Sequence, residues 1–82
     1  MSKKTYSSEL TGKRIREQRK AFHLSMQELA DRIGVGLSTI KRYENNAIKN
    51  YKVETVESIA KALHIDPQYL LGETYRAYFK GD

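Results

Sequence analysis

Apolar residues recur at helical spacing along most of the chain. The clearest case lies in residues 26–33. There, the apolar positions at i, i+3, i+4 and i+7 are Met26, Leu29, Ala30 and Ile33. Such a stripe is typical of an amphipathic helix. Ser25 and Glu28 have the spacing of a capping box, and Gly34 can adopt the left-handed conformation that ends a helix. The pattern predicts a short helix with well-defined ends.

Four more helices are predicted on the same grounds. The first extends from Glu9 to about Phe22, with apolar positions at Leu10, Ile15 and Phe22 and with Gly12 inside it at a cost in helix propensity. The third extends from Leu37 to about Asn45, three residues after the second helix, with Ile40 and Tyr43 facing inward. The other two predicted helices are Val53 to about Leu63, and Pro67 to Leu71, with Asp66 as N-cap and Gly72 as the stop.

The predicted organisation is all-α, with a single domain between two short ends. No alternating strand of useful length is present in the sequence. Residues 1–8 are polar and aperiodic and are predicted to form a flexible N-terminal arm, with Ser8 available as a cap. Residues 9–72 form the predicted five-helix domain, and residues 73–82 form a tail with aromatic residues at Tyr75, Tyr78 and Phe79. Three aromatics in so short an end favour packing on the first helix or a dimer contact.

Charge is distributed unevenly over this domain. The 82 residues carry a net charge of +5, but residues 1–52 have a charge of +7 and residues 53–82 a charge of −2. A basic half of this kind suits a polyanion such as nucleic acid, although a solvated basic helix face would look the same. The chain has no cysteine, so helix packing rather than disulfides or thiolate metal sites must stabilise it.

Several function classes have little support. No apolar run is long enough to span a membrane and the polar N-terminus has no signal-peptide core, so we expect a soluble, cytoplasmic protein. The chain has two histidines, and neither a nucleophile motif nor a glycine-rich phosphate loop is present. His23 and His64 both fall at predicted helix ends, where capping or a charge interaction explains them better than metal binding does. We expect no enzymatic activity, cofactor, metal or small-molecule ligand.

The second and third helices, joined by a short turn that contains glycine, have the form of a helix-turn-helix. Characteristic segments surround this corner in order: Arg14-Ile15-Arg16 with Arg19, Leu24-Ser25, Glu28-Leu29-Ala30, Ile33-Gly34-Val35, Ser38-Thr39-Ile40, Tyr43-Glu44-Asn45, Ile59-Ala60-Lys61-Ala62-Leu63 and Tyr69-Leu70-Leu71-Gly72. From Gly12 to Glu73, the chain resembles the Cro and phage-repressor type of helix-turn-helix domain, a lambda-repressor-like family. The resemblance implies a DNA-binding transcriptional regulator whose recognition helix, about residues 37–45, enters the major groove of a two-fold operator as part of a homodimer.

The third helix has an outward stripe that could read bases. Its members at i, i+1, i+4 and i+5 are Leu37, Ser38, Lys41 and Arg42. Arg42 could donate two hydrogen bonds to guanine, and Lys41 could reach a guanine or a phosphate. Leu37 either contacts a thymine methyl group or folds back onto the core.

Contacts to the DNA backbone are expected from helix N-termini and from polar or basic residues at the rim. The candidates are Arg14, Ser25, Met26, Gln27, Gly36, Thr39, Asn45, Asn46 and Lys49. Relatives usually have Gln at the position of Met26, so this contact either passes to Gln27 or to backbone amides, or Met26 simply begins the apolar stripe. The resemblance further implies a structural salt bridge between Arg19 and Glu44.

Two alternatives to a complete DNA-binding regulator stay open. The scaffold could serve as a protein-interaction module such as an antitoxin or adaptor, an option that the aromatic tail keeps open. The chain could also be the N-terminal domain of a longer repressor. The basic stripe on the third helix favours double-stranded DNA as the partner, whereas an acidic or apolar stripe would favour a protein.

Overall fold

The computed structural model describes residues 7–48 and 51–71, and within them every regular element is helical. The five helices are α1 (Ser7–Ala21), α2 (Met26–Ile33), α3 (Leu37–Glu44), α4 (Val53–Ala62) and α5 (Pro67–Leu71). The predicted all-α, five-helix architecture is therefore confirmed. In the part of the chain that the structure describes, no helix is long and apolar enough to cross a membrane.

The helix boundaries agree with the sequence patterns except at the start of α1. This helix begins at Ser7, so Ser7 and Ser8 belong to its first turn and not to the predicted arm, and Ser8 does not precede the helix as a cap. The third helix ends at Glu44, with Asn45 at its C-cap. The rest of the predicted arm, the predicted stop at Gly72 and the aromatic tail lie outside the described residues.

A single hydrophobic core joins all five helices. Its buried members are Ile15, Leu24, Leu29, Ala30, Ile40, Tyr43, Val56, Ile59, Ala60, Leu63, Leu70 and Leu71. The helices pack in a chain of neighbours, because α1 lies against α3 and α5, α2 lies against α3 and α4, and α4 lies against α5. Helix α3, the predicted recognition helix, is thus held in place mainly by α1 and α2.

The buried face of α1 differs from the predicted one. Leu10 and Phe22 are 44% and 38% exposed, so of the three predicted apolar positions only Ile15 lies in the core. The residues that flank it at helical spacing, Thr11 and Arg19, are polar and buried. Each has a specific partner, and the Thr11 hydroxyl donates to the Leu70 carbonyl oxygen at 2.8 Å. On much of this face, hydrogen bonds therefore take the place of apolar contacts. Apolar periodicity in the sequence consequently does not reveal that this face of α1 is buried.

Gly12 lies where α1 approaches the end of α3 most closely. A Cβ atom built on Gly12 would overlap the backbone carbonyl of Glu44 and lie 2.9 Å from the Asn46 side-chain oxygen. That oxygen accepts a hydrogen bond from the Gly12 N–H at 2.9 Å. Glycine is thus required here by the close packing of α1 and α3, which explains its presence inside a helix.

Three helices end in a left-handed residue that is not glycine. His23 after α1, Asn46 after α3 and His64 after α4 have φ angles of 58°, 60° and 58°. Around His23, its own N–H donates to the Lys20 oxygen and the Leu24 N–H donates to the Arg19 oxygen, the two bonds of a Schellman motif. Both histidines therefore occupy the left-handed backbone position that follows a helix, and the N–H of His64 likewise donates to the Lys61 oxygen.

Candidate nucleic-acid interface

The corner between α2 and α3 is a three-residue turn built around Gly34. Gly34 has a φ of 76°, and both its N–H and that of Val35 donate to the Ala30 carbonyl oxygen. This pair of bonds closes α2 and redirects the chain within one turn. Gly36 then precedes α3 in an extended conformation. The two helices consequently pack against each other and against the same core, which fixes the orientation of α3.

The two sides of α3 differ in burial. Ile40, Tyr43 and Glu44 are buried against the other helices. On the opposite side Ser38, Lys41 and Arg42 are exposed. Leu37, at the start of the helix, is half-buried. This exposure is compatible both with contact to a thymine methyl group and with packing on the core. Three of the four predicted base-reading residues are therefore exposed opposite the buried side, and two of these three are cations.

The N-terminus of α2 is closed by the predicted capping box. The Ser25 Oγ accepts a hydrogen bond from the Glu28 N–H at 3.0 Å, and the Ser25 N–H donates to a Glu28 carboxylate oxygen at 2.7 Å. Met26 is partly buried and packs against the core. The interpretation of Met26 as the start of the apolar stripe is thus confirmed. Gln27 is exposed, and its amide donates to Asp31 at 2.9 Å.

The N-terminus of α3 has no such side-chain closure. Gly36 at the N-cap makes no side-chain hydrogen bond to the helix, unlike Ser25 at the start of α2. Thr39, in the first turn, is half-buried and its N–H donates to the Gly36 oxygen at 3.1 Å. Backbone N–H groups at a helix start favour an anionic partner such as a phosphate.

The predicted rim residues are not all brought to α3. The Arg14 guanidinium instead contacts α5, where it donates to the Tyr69 carbonyl oxygen at 2.7 Å and lies 4.7 Å from the centre of the Tyr69 ring. Asn45 is exposed at the C-cap of α3. Asn46 is exposed as well, while its side-chain oxygen contacts Gly12. Lys49 lies outside the described residues.

Arg19 and Glu44 form a buried ion pair that ties α1 to the end of α3. The Arg19 Nε and one terminal nitrogen lie 2.6 Å and 3.0 Å from the two Glu44 carboxylate oxygens. Another terminal nitrogen donates to the Leu24 carbonyl oxygen at 2.8 Å. The hydrogen bond to Glu44 raises the pKa of Arg19, against the opposing effect of burial. Arg16 is a second cation beside Glu44, with its Nε 3.6 Å from a Glu44 carboxylate oxygen.

Tyr43 links α3 to the start of α4. Its hydroxyl lies close to the Lys52 backbone and the Thr55 side chain, which both act to lower its pKa. Burial nevertheless raises the pKa of Tyr43, which keeps the phenol neutral. The Tyr43 and Tyr51 ring centres are 5.8 Å apart. Tyr43 therefore packs in the core next to the start of α4.

A surface cleft of about 220 Å³ lies beside the reading helix. It is lined by Val35, Thr39, Arg42, Tyr43, Ile48, Lys52 and Thr55. Sequence reasoning overlooked Lys52, an exposed cation that precedes α4 and shares this cleft with Arg42. The sequence feature that could have pointed to Lys52 is its position directly before a predicted helix, where a capping residue such as Ser, Thr, Asp or Asn is usual. Among the described residues, no group of three or more His, Cys, Asp or Glu side chains could hold a metal ion.

Comparison with known proteins gives concordant matches. The family model described as "Helix-turn-helix" matches residues 15–70. The HTH-type transcriptional regulator SinR of Bacillus subtilis (strain 168) is 29% identical over 72 residues, which are 88% of this chain and 65% of SinR. The chain thus spans slightly less than two thirds of the length of this curated relative.

Two solved protein–DNA complexes contain similar folds. The P22 c2 repressor, in complex with a synthetic operator, is 31% identical and superposes with a TM-score of 0.71, over 76% of this chain and 92% of the repressor. SinR, described as the master regulator for biofilm formation and also in complex with DNA, is 31% identical with a TM-score of 0.69, over 74% of this chain and 97% of SinR in that structure. Both similarities cover far more of this chain than the helix-turn-helix corner alone.

Proposed function

Because this chain belongs to the helix-turn-helix family, we propose that it is a sequence-specific, double-stranded DNA-binding transcriptional regulator that acts as a repressor. In this proposal α3 lies in the major groove and α2 crosses the DNA backbone. The similar proteins are named as a transcriptional regulator and a repressor, and these names agree with the expectation of a non-enzymatic protein.

The observation that carries the proposal is the division of α3 into a buried and a basic exposed side. Ile40 and Tyr43 fix the helix to the core, while Lys41 and Arg42 lie on the outward side of an eight-residue helix. A helix of this size fits the major groove of B-DNA. A solvated surface helix also has an exposed polar face, but the open N-terminus of α3 and the adjacent cleft with Lys52 add two further features that suit phosphate.

In this proposal, each of the four base-reading side chains of α3 makes a different contact with the DNA. Arg42 donates two hydrogen bonds to guanine O6 and N7, a contact worth about 1–3 kcal/mol of discrimination. Lys41 contacts a neighbouring guanine or a phosphate, and Ser38 hydrogen-bonds a base edge of either kind. Leu37, which is half-buried, presents its outer methyl groups to a thymine methyl.

Contacts to the DNA backbone would set the register of α3 in the groove. At the start of α2 they come from the Ser25 hydroxyl, the Gln27 side chain and the backbone N–H of Met26. The other proposed contacts are the N-terminus of α3 with Gly36 and Thr39, and the rim residues Asn45, Asn46 and Lys49. Arg14 would have to exchange its contact with Tyr69 for a phosphate.

We further propose that the protein binds its operator as a homodimer. Regulators of this type recognise two half-sites about one helical turn apart, and the symmetry of the protein then appears as an inverted repeat in the DNA. A protein with this partner would act in the cytoplasm, associated with the nucleoid. The proposal includes no small-molecule ligand or cofactor for this domain.

A selection from random duplexes tests the proposed function. The purified protein is incubated with a random library at about 150 mM salt, a concentration that suppresses purely electrostatic binding, and bound duplexes are sequenced after successive rounds. Enrichment of an inverted repeat with half-sites about one turn apart supports a dimeric repressor. Enrichment of a single half-site supports DNA reading by a monomer and contradicts the dimer. No enrichment contradicts sequence-specific binding and favours the protein-interaction alternative.

A further inference from the structure

A second surface depression, the α2–α4 groove, lies between α2 and α4. Its volume is about 410 Å³, and it is lined by Arg32 and Ile33 at the end of α2 and by Ser58, Lys61 and Ala62 in the second half of α4. None of these five residues belongs to α3 or to the cleft beside it. All five are therefore outside the proposed DNA interface, and DNA binding does not account for them.

The α2–α4 groove combines an apolar floor with two cations. Ile33 and Ala62 are half-buried and pack against the hydrophobic core, whereas Arg32 and Lys61 are exposed. None of the five lining residues is fully buried, so the groove is open to the surface. Pockets for small molecules enclose their ligands by roughly 70–90% of the ligand surface, which an open groove does not do. Its form suits a segment of another protein that lies along the two helices.

Neither cation of the groove forms an ion pair with any of the described residues. The two carboxylates of α2 are engaged elsewhere, because Glu28 accepts the Ser25 N–H and Asp31 accepts the Gln27 amide. A cation in the last turn of a helix interacts favourably with the carbonyl end of that helix, and this explains one such residue on α2 and one on α4. It does not explain why both cations border the same apolar floor.

From this arrangement we infer that the α2–α4 groove binds an acidic amphipathic segment of a partner protein. An apolar side chain of the segment packs on Ile33 and Ala62, and carboxylates on either side of it pair with Arg32 and Lys61. A basic segment would meet two cations of its own sign, and a second copy of this chain carries the same net charge of +5. The inference goes beyond the proposed function and does not depend on it. Since the two surfaces share no residue, the protein can hold this partner and DNA together.

The test is a selection of short random peptides displayed as a library and bound to the full chain at about 150 mM salt, which screens long-range attraction. Peptides that also bind a groove variant, Arg32→Gln with Lys61→Gln, are removed in each round. The control variant, Lys13→Gln with Lys20→Gln, loses the same charge from two exposed lysines of α1. We expect the surviving peptides to carry Asp or Glu on both sides of an apolar residue.

Fluorescence anisotropy of a labelled selected peptide then measures each part of the interaction. The groove variant should bind it roughly three- to thirtyfold more weakly than wild type, the effect of losing two exposed ion pairs. The control variant should bind it within about twofold of wild type, since it keeps the groove. Replacement of the apolar residue of the peptide by Ala should weaken binding by about threefold or more. Circular dichroism at the assay temperature checks that both variants are folded.

The inference is overturned if no peptide survives the selection, if the surviving peptides are neutral or basic, or if both variants weaken binding equally. Two further measurements identify other occupants. Displacement of the peptide by the selected duplex would assign the groove to DNA, and a lower oligomeric state of the groove variant in sedimentation would assign it to a second copy of this chain. Either result contradicts an acidic protein partner. Peptide binding is measured without DNA, so failure of the proposed function would be seen separately.

Discussion

The Arg19 guanidinium and the Glu44 carboxylate face each other in a buried two-pronged ion pair, with nitrogen–oxygen distances of 2.6 Å and 3.0 Å. Their exposed fractions are only 7% and 4%. The remaining hydrogen-bonding capacity is used as well, since Arg19 also bonds the Leu24 carbonyl oxygen and Glu44 receives Arg16. The pair thereby couples the end of the proposed reading helix to α1 and to the start of the α2 region.

Removal of either partner should destabilise the protein strongly. Arg19→Ala or Glu44→Ala leaves the other charge buried without its counterion, which costs about 3–5 kcal/mol, a large share of the stability of a small domain. Urea unfolding measures the loss, and DNA binding should fall because the variants unfold. Lys13→Ala is the control, because its ion pair with Glu17 is exposed and should contribute less than about 1 kcal/mol. A stable Arg19→Ala protein that fails only in DNA binding would contradict this account.

Gly12→Ala should destabilise the protein although alanine is the better helix former. The new methyl group would overlap the Glu44 carbonyl and crowd the Asn46 side chain. Overpacking of this kind costs about 1–3 kcal/mol, which exceeds the gain of about 1 kcal/mol in helix propensity. Thermal unfolding of the variant against wild type tests the balance. An unchanged or raised melting temperature would show that α1 can move away from α3 without cost.

His23→Gly should stabilise the protein. His23 adopts a φ of 58° after α1, a conformation that costs a residue with a side chain about 1–2 kcal/mol and glycine almost nothing. We expect a net gain of about 0.5–1 kcal/mol after the greater chain entropy of glycine in the unfolded state is subtracted. His23→Ala is the matched control and should give no gain. Equal stabilities of the two variants in urea unfolding would refute the strain argument.

Stability should fall at alkaline pH in a way that depends on Tyr43. Burial raises the pKa of its hydroxyl above the ordinary value of 10.0. The unfolded chain releases this proton first, so the stabilisation is fully present below about pH 10 and is lost as the pH rises through the folded pKa. Urea unfolding between pH 8 and pH 11 measures the decline. Tyr43→Phe should show a shallower decline than wild type, and identical slopes would rule out the contribution.

The sequence predicts some parts of this structure better than others, for identifiable physical reasons. Helix α2 is predicted to the residue because its signals are local: a capping box at Ser25, an apolar stripe and a left-handed stop at Gly34. The buried face of α1 is not predicted by apolar periodicity, because it uses Thr11 and Arg19, whose partners lie far away in the sequence. Only the resemblance to a known family indicated the pair with Glu44.

In the candidate site too, the features that depend on local sequence signals are predicted, and those that depend on the packing of distant helices are not. The outward stripe of α3 follows from helical spacing once Ile40 and Tyr43 are taken as inward, and the structure places both in the core. The contact of Arg14 with Tyr69 and the proximity of Lys52 to Arg42 depend on how helices distant in sequence pack, so spacing alone could not reveal them. Contacts between helices that are distant in the sequence are therefore the part of the candidate site that the sequence does not predict.

The central claim is that the exposed side of α3 reads bases, and Arg42→Ala tests it most directly. Affinities for the selected duplex, for single-base variants of it and for random DNA are compared between this variant and Arg32→Ala, which removes an equal charge from the exposed last turn of α2. We expect Arg42→Ala to lose about 1–3 kcal/mol on the selected duplex, to relax preference at one base pair per half-site, and to change random-DNA binding little more than Arg32→Ala does. Equal losses on selected and random DNA would contradict base reading by α3.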